Sequence, residues 1–104
     1  MNIRSILTIR VHSGQREAAA TAFMQRRVLE ECAEAVPGYI HGELLLSVED
    51  PDLLTVVVHW DSKAAVQQWW DCPVRQAQNT DLLSFVAESP ISRVYEAYGK
   101  YSRP

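Results

Sequence analysis

The sequence is short of the residues that staple a fold, cradle phosphates or build long apolar spans. Its two cysteines, Cys32 and Cys72, lie far apart. They form neither a C-x-x-C pair nor a Cys/His spacing, so no disulfide framework or zinc motif is read from them. Each is expected to be a buried thiol that packs like a small hydrophobe. No nucleotide-binding motif appears among only four glycines. His12, His41 and His59 are scattered over three predicted strands, and no metal or cofactor is predicted from their spacing. No Lys/Arg run forms a phosphate-tracking face, and the net charge of −3 argues against a nucleic-acid partner. No segment approaches the roughly 20 apolar residues of a membrane span. The opening MNIRSILTIRV alternates like a strand instead of forming a signal-peptide core. These absences predict a soluble, cytoplasmic chain with no membrane partner.

What is present reads as one globular domain over residues 1–104, since 47% hydrophobic with 22% charged residues can build a core. Residues 3–12 alternate, with Leu7, Ile9 and Val11 on one face, and predict a strand. Ser13 or Gly14 ends it, Ser13 being a candidate helix N-cap. Residues 15–36 contain good helix formers and no proline, and Pro37-Gly38 stops them. Ala18, Ala22, Leu29, Cys32 and Val36 recur at helical spacing as the expected buried stripe. Gln25 and Arg26 interrupt that stripe. Either their stems pack and their heads reach water, or one of them points into a pocket beneath the helix.

Tyr39 to Val48 reads as a second strand, Glu49 to Asp52 as a polar turn, and Leu53 to Trp60 as a third strand, together an antiparallel hairpin. Asp61 or Ser62 caps a helix over Lys63–Trp70, and Pro73 opens a further helical segment reaching about Val86. Ser89-Pro90 breaks the chain before a last strand over Ile91–Tyr101. The order β-α-β-β-α-β predicts an α+β, ferredoxin-like four-stranded antiparallel sheet with the helices on one face. The other face should then be polar. Yet Leu44, Leu45 and Leu46 are consecutive, and Leu53, Leu54, Val56, Val57 and Val58 put apolar groups on both faces. A bare patch of that kind predicts a homodimer with sheet packed on sheet.

The stretch TVVVHWDSKAAVQQWWDCP, residues 55–73, has a strand ending in Trp, a capped turn, an Ala-rich helix and a Trp three residues before proline. With Val36-Pro37-Gly38-Tyr39 after the first helix, it resembles the antibiotic biosynthesis monooxygenase family over nearly the whole chain. The resemblance implies a dimeric α+β barrel with a pocket between helices and sheet in each subunit. It also implies a small aromatic ligand and, in the best-known branch, molecular oxygen as co-substrate. That branch oxidises polyketide-like phenols or anthrones to quinones without a cofactor, so none is expected. A polyketide cyclase or isomerase, or a non-catalytic ligand-binding accessory protein on the same scaffold, is the alternative.

Such chemistry needs an apolar, water-poor pocket, donors aimed at a developing oxyanion and a route for the substrate's proton. The resemblance assigns Trp60, at the end of the third strand, and Asn79 as candidate catalytic residues. Asn79 stands where quinone-forming relatives carry Arg and haem-degrading relatives their axial His. Leu7 replaces the first-strand Asn of the haem-degrading branch, so haem cleavage is not expected. Candidate substrate-binding residues are Trp69, Trp70, Val56, Tyr39, Arg26 and Arg75. Val56 occupies a position where quinone-forming members place Asn, and Arg75 is one turn from Asn79 and able to supply charge. Tyr39, His41 and Tyr95 are candidates for proton relay.

Overall fold

The computed structural model describes residues 2–104. The elements are β1 (Ile3–Arg10), α1 (Arg16–Gln25), α2 (Val28–Ala35), β2 (Tyr39–Leu46), β3 (Leu53–Trp60), α3 (Lys63–Trp70), α4 (Pro73–Leu82), a 3-10 turn (Leu83–Phe85) and β4 (Ile91–Glu96). The sheet order is β2-β3-β1-β4, with every neighbouring pair antiparallel. This is the expected ferredoxin-like α+β arrangement. The two helical crossovers each skip one strand, so the halves of the chain interlock.

Period-two patterning decides which face is covered. In β3, Leu54, Val56, Val58 and Trp60 are buried beneath the helices, while Leu53, Thr55, Val57 and His59 are half-buried on the other face. The covered face joins Ile3, Phe23, Val28, Cys32 and Val36 in the main core, closed from α3 by Ala65 and Val66. A second cluster of Val11, Ala19 and Leu54 closes the far end. Ser62 caps α3 by accepting a 3.2 Å hydrogen bond from the Ala65 N–H, and Pro73 stands in the first turn of α4.

The β2–β3 turn is held from outside as well as within. Ser47 Oγ accepts from the backbone N–H groups of Glu49 and Asp50. The Arg16 guanidinium donates to the carbonyls of Ser47 and Asp50 at 2.7 and 2.8 Å. Arg10 pairs with the Asp50 carboxylate at 2.7 Å. Where β2 begins, the Asp61 N–H donates to the Gly38 carbonyl at 2.9 Å. A Cβ at Gly38 would meet Asp61 Oδ1 at 2.5 Å and the Ala65 methyl at 2.6 Å, so only glycine fits this approach of backbones.

Three expectations are corrected. Residues 15–36 are two helices, not one: the chain breaks at Arg26-Arg27, and Arg27 takes a left-handed conformation with φ 59. The break rotates the buried stripe of the first half, so Ala19 and Phe23 are buried while Ala18 is exposed. After the break Cys32 and Val36 are buried as expected. Second, Gln15, not Ser13, occupies the N-cap of α1, and no side chain caps it. Third, strands end where partners run out. Glu96 pairs with Ile3, the first residue of β1, and beyond it the Ala97 N–H reaches across to the Asn2 carbonyl, the one further bond among the described residues. The last strand therefore stops at Glu96 and not at Tyr101. Likewise β1 stops at Arg10, leaving Val11 in a single bridge to Val86. The second strand stops at Leu46, opposite Leu54.

Candidate active site

A cavity of about 280 Å³ lies between β1, the helices and the start of β4. Leu7 and Ile9 of β1, with their neighbour Ser92 of β4, form its floor. Phe23 of α1, Val28 of α2 and Trp69 of α3 supply apolar walls. Leu83, Val86 and Pro90 line the remaining side. The polar wall comes from α4, where Arg75, Gln78, Asn79 and Leu82 fall at i, i+3, i+4 and i+7 and so share one helix face.

The α4 groups differ in what they already bind. The Arg75 guanidinium and the Asn79 amide make no side-chain hydrogen bond or ion pair among the described residues; Arg75 is half-buried and Asn79 exposed. Gln78 is only 4% exposed. Its Nε2 donates to the Val28 carbonyl at 3.3 Å and to Glu31 Oε1 at 3.0 Å. Glu31 in turn pairs with Arg26, which also reaches Asp81 at 2.9 Å. The Arg26 hydrogen bond, then that from Gln78, holds the Glu31 carboxyl below the usual carboxylate range. This network ties the α1–α2 break to α4 and holds the polar wall in place.

Of the residues expected at the site, the structure brings Trp69, Arg75 and Asn79 to the cavity. Trp60 lies apart from it. Its ring is fully buried, its N–H donates to Ser5 Oγ at 2.9 Å, and Tyr39 packs edge-on against it with centroids 5.9 Å apart. Val56 is a buried core residue, and Tyr39 and Trp70 pack on that core away from the cavity lining. Arg26 is engaged by Glu31 and Asp81 and does not line the cavity. His41 and His59 meet edge-on, with ring centroids 5.3 Å apart, across the β2–β3 pair and away from the cavity. Leu7 is on the cavity floor. Gln78 is the polar wall residue that the sequence reading passed over, although its i+3 spacing from Arg75 placed it on the same face.

Among the described residues no cluster of three or more His, Cys, Asp or Glu side chains is arranged to hold a metal ion. Burial pushes the Cys32 thiol up to about 12, so it stays protonated and serves as core packing.

A family model described as antibiotic biosynthesis monooxygenase matches residues 2–78, most of the chain. The chain belongs to the antibiotic biosynthesis monooxygenase family. Solved structures show the same fold at low identity. A protein from Bordetella bronchiseptica described as an antibiotic biosynthesis monooxygenase is 22% identical with a TM-score of 0.80, over 93% of this chain and 97% of that one. SnoaB from Streptomyces nogalater, a cofactor-independent oxygenase solved as a mutant, is 15% identical with a TM-score of 0.77, over 98% of both chains. A conserved protein from Methanosarcina mazei is 15% identical with a TM-score of 0.78, over 94% of both. No curated protein matches in sequence. The family match ends at Gln78, so the cavity residues from Asn79 onward lie outside it.

Proposed function

We propose that this family member is a cofactor-independent monooxygenase that oxidises a polyketide-like phenol or anthrone to a quinone as a cytoplasmic homodimer. The observation that carries the reading is a mainly apolar cavity whose polar wall presents Arg75 and Asn79, whose side chains have no hydrogen-bond or ion-pair partner among the described residues. The two free thiols fit a reducing compartment.

Triplet oxygen reacts slowly with closed-shell arenes, and an electron-rich phenolate is the form that gives up an electron. Arg75 favours that phenolate by pairing with it in a wall of low polarity, where a charge-assisted contact is stronger than in water. The proton leaves to solvent on the Asn79 side, since Asn79 is exposed. Over the whole reaction one ring C–H becomes C=O, four electrons pass to one dioxygen, and one water leaves. Asn79 and the Trp69 N–H are the donors available to the oxygen-derived anion. Size fits the two-ring phenols of this class. A cavity of roughly 150 Å³ holds one benzene, so about twice that volume accommodates two fused rings.

The test is oxygen uptake with naphthol and anthrone substrates, scored against quinone formed. One dioxygen per quinone is expected, with Arg75→Gln or Asn79→Ala lowering turnover at least about tenfold. Absence of uptake, combined with saturable quenching of Trp69 by the same arenes, would move the assignment to a ligand-binding accessory protein.

A further inference from the structure

The geometry points to Gln78 as a specificity-determining residue that makes the cavity select arenes carrying a hydroxyl donor. This rests on the reading of the cavity as the aromatic-ligand site. A side-chain amide carries its donors on nitrogen and its acceptor on oxygen. Here the nitrogen faces the Val28 carbonyl and the Glu31 carboxylate, which can only accept. Turning the amide over would set oxygen against two oxygens and forfeit both bonds. The Arg26 ion pair keeps Glu31 ionised and in position. The orientation of Gln78 is therefore locked from behind by α2.

What the lock leaves over is the carbonyl oxygen. Gln78 Oε1 has no hydrogen-bond partner among the described residues, and since no wholly enclosed side-chain oxygen or nitrogen among them lacks one, it is open to the cavity that Gln78 lines. An acceptor open to a mainly apolar cavity is satisfied by water until a ligand displaces that water, and the ligand must then donate in its place. A ligand O–H does so; an ether or a bare ring edge leaves the acceptor unpaired after expelling its water. Sites built this way discriminate strongly between a hydroxylated ligand and its analogue without the donor. Arg75, one turn away on the same face, prefers an anionic oxygen. The two residues together suit an arene with two oxygens, one ionised against Arg75 and one keeping its proton on Gln78.

The experiment compares a naphthalenediol with its monomethyl ether, which keeps the rings and removes one donor. Binding is followed anaerobically by quenching of tryptophan fluorescence, so turnover is not involved. The wild-type protein should prefer the diol by about tenfold or more. Glu31→Gln loosens the amide's orientation, since the new side chain can donate as well as accept and only the Val28 carbonyl, at 3.3 Å, still holds the nitrogen. That variant should reduce the preference to about threefold or less. Equal affinity of the wild-type protein for both ligands overturns the inference. So does a preference retained in Gln78→Leu with an unchanged circular dichroism spectrum. If Gln78→Leu does not fold, the wild-type pair and Glu31→Gln decide alone. Failure of both ligands to bind removes the cavity reading and this inference with it. A diol preference without oxygen uptake removes the oxygenase reading and leaves Gln78 in its role.

Discussion

Trp60 and Trp69 bear the same side chain, and what each indole N–H meets separates their roles. Trp60 spends its donor on Ser5 inside the core, whereas the Trp69 N–H has no partner among the described residues and its ring lines the cavity. Trp60→Phe should therefore act on stability: loss of one buried hydrogen bond costs about 1 kcal/mol, lowering Tm by roughly 4–8 °C in a domain of this size. Diol binding should stay within about twofold of wild type; a tenfold loss of binding at unchanged Tm would instead place Trp60 in the site. Glu31 adds a pH dependence. Its folded-state pKa lies below the ordinary 4.5 because of Arg26 and then Gln78. A lowered carboxyl pKa contributes stability that is present above 4.5 and lost as pH falls through the folded-state value. Acid below the ordinary carboxylate range should thus loosen the α2–α4 clamp and weaken the diol preference together. Fluorescence titrations across that range check this, and Glu31→Gln should flatten the profile.

At the scale of elements, the strands and the second pair of helices were legible because each signal is local. Alternation placed β3 at Leu53–Trp60, and Ser62 and Pro73 marked where α3 and α4 begin. The break between α1 and α2 was not legible, because Gln25-Arg26-Arg27 holds neither Gly nor Pro and residues 15–36 carry a plausible helical pattern throughout. Across the break Arg26 reaches Glu31 and Asp81, and the Asp81 contact joins residues far apart in the chain. Without the break the expected stripe ran through Ala18 instead of Ala19 and Phe23, and the cavity wall behind Phe23 stayed hidden. Trp69 and Asn79 could be proposed from the family resemblance and Arg75 from its place one turn from Asn79, whereas Gln78 needed the α2 partners that give its amide a direction. Arg27 bears the cost of the break, since a non-glycine residue in the left-handed region is strained by about 1 kcal/mol or more. Its one ion pair, with Glu34 at 3.4 Å, is exposed. Arg27→Gly should therefore be neutral or stabilising by up to about 1 kcal/mol in urea denaturation, and Arg27→Val destabilising by more than that. Destabilisation by glycine as large as that by valine would show that the Arg27 side chain, not its backbone, sustains the break.

The whole molecule leaves one sheet face without helices, and its composition bears on the proposed homodimer. Register puts Ile6, Val57 and Glu43 side by side across β1, β3 and β2, with Leu53, Leu45 and Ile91 on the same face. Leu45 and Ile91 are 43% and 54% exposed, so a single copy leaves an apolar band open to water. Charge frames that band: Arg4, Arg10 and Arg93 alternate with it, and the His41–His59 pair sits at one end. A second copy of this face would cover the band, and Val57→Lys at its centre should then separate the copies. Sedimentation at micromolar concentration should give twice the 11.8 kDa chain mass for the wild type and the single mass for the variant. His59 makes the association sensitive to pH. Burial, then Arg4 and His41, lowers its pKa from the ordinary 6.5, while Glu43 opposes and Lys100 reinforces the shift. A basic group with a depressed pKa contributes stability that is present above 6.5 and lost as pH falls. Covering the face deepens the burial, so the dimer should weaken between about pH 7 and about pH 5. His59→Gln should remove most of that dependence while leaving the dimer intact near neutrality. A wild-type chain that sediments at the single mass near neutral pH would refute the sheet-on-sheet dimer, whatever the variants do.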